Sequence, residues 1–150
     1  MGNLTTCNDS DKIINTFVGS CVALCLYDSK QKMGGLAHIM IPGKSSKEQV
    51  HILPAKFSEN AFERLIEEFG ESNDIVAKIV GGAHIFKHEN GNGLFDVGKK
   101  NTDFIKNLLE ERNIPLISED IGKNFGRWVH LEIKTGLVTI KAKKGSDKII

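Results

Sequence analysis

The stretch IINTFVGSCVALCLYDSKQKMGGLAHIMI, residues 13–41, decides the fold class. Its β-rich segments IINTFV and VALCLYD are separated by two small residues and a cysteine, Gly19-Ser20-Cys21. A polar turn at 28–32 follows, and MGGLAHIMI then has the composition of a partner strand. The stretch therefore predicts a short strand followed by a β-hairpin.

The rest of the chain adds two helices and more strands. Apolar residues at helical spacing predict helices over about 54–69 and about 100–112. Strands are predicted at DIVAKIVGGAHIF, NIPLISED, RWVHLEI and LVTIKA, the last two joined by a turn at 134–136. Because two helices must cover about seven strands, we predict an α+β fold, an α/β sandwich of mixed β-sheets with about two flanking helices. We expect one domain over 1–150, with substrate loops at 43–51 and 87–96.

The bulk composition excludes several functional classes. The net charge of +1 gives no general attraction to nucleic acid or a membrane surface. A basic cluster near the end, KAKKGSDK, is predicted to be a solvated tail. The apolar runs are shorter than the roughly 20 residues of a membrane span, and the polar start predicts no secretory signal. Three cysteines cannot form a complete disulfide framework, which favours a reducing cytoplasm.

Cys21 and His38 are the first candidates for chemistry. A cysteine needs a base or a cation to react as thiolate, and histidine commonly supplies it. In the predicted hairpin, the strand carrying His38 runs back beside the strand that begins at Cys21. The alternative is a core thiol with a strand histidine bonded to backbone, and a register error of one residue would favour it. Gly19 and Ser20 could expose backbone N–H groups as an oxyanion hole, or could simply form a tight turn.

Two histidines and a glycine pair give weaker signals. His84 and His88 are four residues apart, but the surrounding glycines disfavour a helix, so we predict no metal site. Gly81-Gly82 and the later NGNG lack the pattern of a phosphate-binding loop. We interpret these glycines as flexible residues of a substrate loop, with plain turn formation as the alternative.

The connection EDIGKNFGRW, residues 119–128, concentrates charge and glycine between two strands. Arg127 could contact an acidic partner, or could structure the connection through Glu119 or Asp120. We favour the structural salt bridge.

Several blocks together resemble a known family. TFVGSCVALCLYD is followed by GGLAHIMIP, KIVGGAHIF, DVGKKN and IPLISEDIGKNFGR, in that order and without large insertions. This series, from about residue 14 to about 141, resembles the chemoreceptor glutamine deamidase family, CheD. The GSC block, the alanine-histidine pair, the GGA and the E-D-x-G-x-x-x-G-R form a specific set.

The resemblance implies a cytoplasmic bacterial chemotaxis enzyme. Such an enzyme hydrolyses side-chain amides of glutamines on methyl-accepting chemotaxis receptors to glutamate and ammonia, and some relatives are credited with methyl-ester hydrolysis. It implies a sandwich similar to that of deamidating bacterial toxins, with Cys21 as the nucleophile and His38 as general base and acid. It implies no cofactor and no metal. It also implies a partner, a phosphatase of the CheC type.

One position departs from the family pattern. Relatives often carry a threonine six residues before the cysteine as a third active-site member, but this chain has Asn15 there and Thr16 one residue later. Either Thr16 supplies the hydroxyl, or Asn15 orients the imidazole as in Cys-His-Asn proteases. We favour Asn15.

Two rival functions remain at this stage. A general cysteine amidase or peptidase would use the same pair on free peptides. A non-catalytic chemotaxis adaptor would bind the receptor or the phosphatase without turnover, and the altered third position keeps this alternative open.

Overall fold

The computed structural model describes residues 1–45, 52–84, 97–142 and 146–150. In chain order, its elements are β1 (Leu4–Cys7), β2 (Ile13–Val18), β3 (Val22–Asp28), β4 (Met33–Ile39), α1 (Ser58–Phe69), β5 (Ile75–Gly81), α2 (Val97–Glu111), β6 (Leu116–Ile121), β7 (Arg127–Glu132), β8 (Val138–Ala142) and β9 (Lys148–Ile149).

The strands form two sheets, of which the first is mixed and the second is antiparallel. The first sheet has the order β1-β4-β3-β5-β6, and only its β5–β6 pair is parallel. The second sheet has the order β2-β7-β8-β9 and is antiparallel throughout. This arrangement confirms the predicted α+β sandwich with two helices.

Strand β3 separates two hydrophobic layers. Leu24 and Leu26 face the helices and pack with Phe62 and Leu65 of α1. On the opposite face, β3 and its neighbours pack against the second sheet. Each fully buried aliphatic or aromatic side chain stabilises the fold by about 1.5–3 kcal/mol. These two apolar layers therefore hold together the helices, the first sheet and the second sheet.

The β3–β4 hairpin has the predicted position, and Asp28 fixes its turn. The buried Asp28 carboxylate accepts the backbone N–H groups of Lys30 and Gln31 at 2.8 and 2.9 Å. The resulting register places Ala23 directly opposite His38. Since a slip of one residue would turn every side chain to the other face, this turn decides where the histidine points.

The helices differ from their predicted bounds at their starts. The first begins at Ser58, because residues 54–56 form a turn and Phe57 is extended and pairs with Ile41 in an isolated bridge. The second begins at Val97, although Gly98 lies in its first turn. A Cβ atom at Gly98 would stand 2.7 Å from the backbone of Gly82, so glycine permits the close contact between α2 and the end of β5.

The two ends of the chain contain strands that the pattern did not predict. β1 pairs with β4, and β9 pairs with β8. Of the predicted solvated tail, Lys148 is exposed as expected but lies in β9, whereas residues 143–145 lie outside the described residues. The loop predicted at 87–96 and most of that at 43–51 also lie outside them.

Candidate functional site

Cys21 stands where the chain crosses from one sheet to the other. β2 ends in the second sheet at Val18, and β3 begins in the first sheet at Val22. The three residues between them are half-buried, and Cys21 packs against the apolar layer between the sheets. The thiol therefore lies at one end of the inter-sheet space.

The end of β5 holds this crossing in place. The N–H of Gly82 donates to the Cys21 carbonyl at 2.9 Å, and the N–H of Ala83 donates to the Gly19 carbonyl at 2.8 Å. Gly81 has a φ of 125°, and a Cβ atom there would lie 2.3 Å from the Cys21 carbonyl oxygen. Gly81 and Gly82 are buried and closely packed, so their interpretation as flexible substrate-loop residues is wrong.

His38 reaches the same end of the inter-sheet space from β4. Its partner Ala23 is two residues beyond Cys21, and both residues lie at the apolar layer between the sheets. The histidine is 5% exposed, and its Nδ1 lies 2.8 Å from Oγ1 of Thr16. Its Nε2 is buried without a hydrogen-bond partner among the described residues.

Thr16, and not Asn15, contacts His38. Along β2, Thr16 and Val18 turn toward the first sheet, whereas Asn15 is exposed on the outer face, opposite His130. Neighbouring residues on a strand point to opposite faces, so only one of the side chains of Asn15 and Thr16 can reach His38. The expectation that Asn15 orients the imidazole is wrong, and the hydroxyl of Thr16 makes this contact.

Burial keeps both reactive groups neutral at rest. It raises the pKa of the Cys21 thiol, an effect larger than the opposing ones of the N-terminal ammonium and of the residue's own N–H. It also lowers the pKa of His38 from 6.5 to about 4. At neutral pH the pair is therefore a thiol and a neutral imidazole, and the imidazole has an unprotonated nitrogen that can accept a proton.

Arg127 braces the strands around the crossing. Its buried guanidinium donates through Nη2 to the carbonyls of Gly81 and Asp120, both at 2.8 Å. Its Nε lies 3.2 Å from a carboxylate oxygen of Asp120, which confirms the predicted structural salt bridge. Arg127 is also the partner of Val18 in the β2–β7 pair. It therefore connects the end of β2, where the crossing begins, with Gly81 at the end of β5.

The described residues contain neither a cluster of metal ligands nor a helix that could span a membrane. His84 lies just after β5, whereas His88 lies outside the described residues. Among the described residues, no three histidine, cysteine or acidic side chains are grouped as metal ligands would be. Neither of the two described helices is long and apolar enough to cross a membrane.

The residues gathered here are of the types that cysteine-dependent hydrolases use. Cys21 lies in the crossing before β3, His38 lies on β4, and Oγ1 of Thr16 contacts Nδ1 of the ring. The family model for CheD, described as chemotactic sensory transduction, matches residues 40–142. The chain belongs to the CheD family.

Named relatives extend the match over nearly the whole chain. A protein of Methanococcus vannielii is 43% identical over 98% of this chain and 94% of its own length. One of Methanosarcina barkeri is 40% identical over 91% of each chain, and one of Clostridium botulinum is 37% identical over 94% and 89%. Each of these relatives is named a probable chemoreceptor glutamine deamidase CheD.

Proposed function

We propose that this protein is a chemoreceptor glutamine deamidase. It hydrolyses glutamine side-chain amides of methyl-accepting chemotaxis receptors, giving glutamate and ammonia. The observation that carries the proposal is the contact between Thr16 and His38, which leaves the buried Nε2 without a hydrogen-bond partner among the described residues. The names of the relatives supply the substrate class.

The first half-reaction forms a thioester. Nδ1 lies 2.8 Å from Oγ1 of Thr16. In the tautomer that this mechanism requires, Nδ1 carries the proton and donates it to that oxygen, so Nε2 is the basic nitrogen. Nε2 takes the proton of the Cys21 thiol as the sulfur attacks the carboxamide carbon. Backbone N–H groups near Ser20 and Cys21 stabilise the oxyanion. The C–N bond then breaks, and His38 returns the proton to the departing ammonia.

The second half-reaction releases glutamate. Water attacks the thioester carbon while Nε2 of His38 accepts its proton, and the sulfur leaves and is reprotonated. One water is consumed and one ammonia released per glutamine. The balance needs no electron acceptor and no further group.

The test is incubation of a purified chemoreceptor cytoplasmic fragment with the protein, followed by peptide mass spectrometry. We expect the mass gain of glutamine-to-glutamate conversion at particular glutamines, with one ammonia released for each. A glutamine-containing peptide without receptor structure is the control, since a general amidase would convert both substrates. Binding of the fragment without any mass change would contradict the proposal and favour the adaptor function.

The cellular setting follows from the same proposal. Free Cys7, Cys21 and Cys25 suit the reducing cytoplasm, where the receptors present their signalling segments. A phosphatase partner of the CheC type and hydrolysis of receptor methyl esters stay predictions from the family resemblance.

Replacing Thr16 is expected to reduce turnover by misorienting the imidazole. Thr16→Val keeps the shape of the side chain but removes the oxygen 2.8 Å from Nδ1, and we expect kcat to fall about 10- to 100-fold. Thr16→Ser should retain most activity, because it keeps the hydroxyl. Asn15→Ala is the matched neighbour and should stay within about twofold of wild type, since its side chain lies on the outer face. Deamidation rates that fall for Asn15→Ala and not for Thr16→Val would reverse the assignment.

A further inference from the structure

A cleft of about 320 Å³ lies near the candidate active site and takes no part in the proposed chemistry. We call it the cationic cleft, because Lys123, Arg127 and Lys148 line it around Asp120. Phe125 forms part of its wall and lies 5.6 Å from Nζ of Lys123. The cleft also includes Asp147, so three cations and two carboxylates meet there.

The cations converge on one buried carboxylate. Asp120 is 6% exposed, and Nζ of Lys123 and of Lys148 lie 2.7 and 3.7 Å from its Oδ1. Burial opposes ionisation of Asp120, but the hydrogen bond from Lys123 and the three positive charges outweigh it and lower its pKa. The two lysine side chains are 43% and 50% exposed, so their ammonium groups remain accessible above the buried carboxylate. A positively charged opening results.

The cationic cleft opens at the same end of the sandwich as Cys21. In the first sheet, Val22 lies opposite Gly81, which in turn pairs with Ile121. In the second sheet, the corresponding end is the row formed by Val18, Arg127 and Ala142. Two strand spacings of about 4.8 Å separate β3 from β6, so the cleft lies roughly 10 Å from the start of β3.

We propose that the cationic cleft is a subsite for an acidic side chain of the substrate protein. The inference rests on the proposed function and adds a specificity rule: the glutamine that reaches Cys21 belongs to a segment carrying aspartate or glutamate nearby. A separation of roughly 10 Å corresponds to about three residues of extended chain or about two turns of helix. The ammonium groups of Lys123 and Lys148 bind the incoming carboxylate, while Asp120 remains with Arg127 below.

The binding test uses the Cys21→Ala protein, so that no substrate is consumed. A fluorescently labelled chemoreceptor cytoplasmic fragment is titrated with this protein and with its K123Q/K148Q derivative. We expect Kd to rise about tenfold in the derivative, because two charge-assisted contacts are lost. The matched control is K12Q/K134Q, which removes the same charge from exposed lysines at the opposite end of the sandwich and should leave Kd unchanged.

A second comparison identifies the bound group. Replacing the acidic residues nearest the target glutamine with serine should weaken binding to the parent protein but not to K123Q/K148Q, since the coupled contact is already absent. Equal weakening by both lysine pairs would indicate general electrostatic attraction and overturn the subsite. So would equal sensitivity of both proteins to the serine changes.

A kinetic arm separates the subsite from the deamidase proposal. With Cys21 present, K123Q/K148Q should raise KM for the fragment and leave kcat unchanged. If the wild-type protein causes no mass change while the binding difference persists, the proposed reaction fails and the subsite stands. If deamidation occurs with the same KM in both proteins, the reaction stands and the subsite fails.

Discussion

Replacing Cys21 with alanine is expected to reduce deamidation of a chemoreceptor fragment by roughly 10³-fold or more. The thiol is the only proposed group that bonds to the substrate carbon, so no neighbouring side chain replaces it. The variant should still fold, because Cys21 is half-buried at a turn held through backbone hydrogen bonds. Peptide mass spectrometry measures the activity, and circular dichroism verifies the fold.

The other cysteines provide matched controls for this result. Cys7 is half-buried in β1, and Cys25 is buried, with its pKa raised to about 12 by burial. Cys7→Ala and Cys25→Ala should therefore keep deamidation within about twofold of wild type, the second with some loss of stability. Iodoacetamide should label the half-buried Cys21 in the folded protein and leave Cys25 unlabelled, since Cys25 is only 2% exposed. Persistent activity in Cys21→Ala would remove the nucleophile from the proposal.

The hairpin that carries the site could be predicted because its sequence leaves few alternatives. A polar turn separates two apolar segments, and Asp28 binds backbone N–H groups within that turn. A structural salt bridge from Arg127 to Glu119 or Asp120 could be predicted from the sequence, but not which of the two acids is the partner. The position of the guanidinium at the end of β5 required the tertiary structure, because it joins strands from both sheets.

Which residue contacts His38 could not be predicted, because IINTFV carries apolar residues on both faces of the strand. Ile14 and Val18 alternate with Ile13 and Phe17, so either face of β2 could have been the buried one. In the structure, Ile13 and Phe17 are 56% and 49% exposed on the outer face of the second sheet. The family's threonine position, six residues before the cysteine, corresponds to Asn15 and favoured it. In the structure, Thr16 is the one of the two that lies on the inner face of β2. Strands β1 and β9 were missed because they are short edge strands with little apolar pattern.

Replacing His38 with glutamine is expected to lower kcat for deamidation by about 10²- to 10⁴-fold, because the general base is lost. His130→Gln is the matched control. This histidine lies on the outer face of the second sheet, where it stacks on Trp128, and its replacement should leave activity nearly unchanged. Similar losses in both variants would indicate a structural effect and contradict the assignment of His38 as the base.

The pH dependence of stability gives a second measure of His38 that does not depend on activity. Its pKa is about 4 in the folded protein, against 6.5 for an unperturbed histidine, because burial disfavours the charged ring. Between these values the unfolded chain binds a proton that the folded chain does not, so the free energy of unfolding falls as pH falls, by up to about 3 kcal/mol. His38→Gln has no titrating ring and should lack this part of the decline when denaturation near neutral pH is compared with that at about pH 4.5. An identical decline in both proteins would show that the imidazole is not held neutral beside the thiol, and the proposed route of the proton from Cys21 to Nε2 would lose its basis.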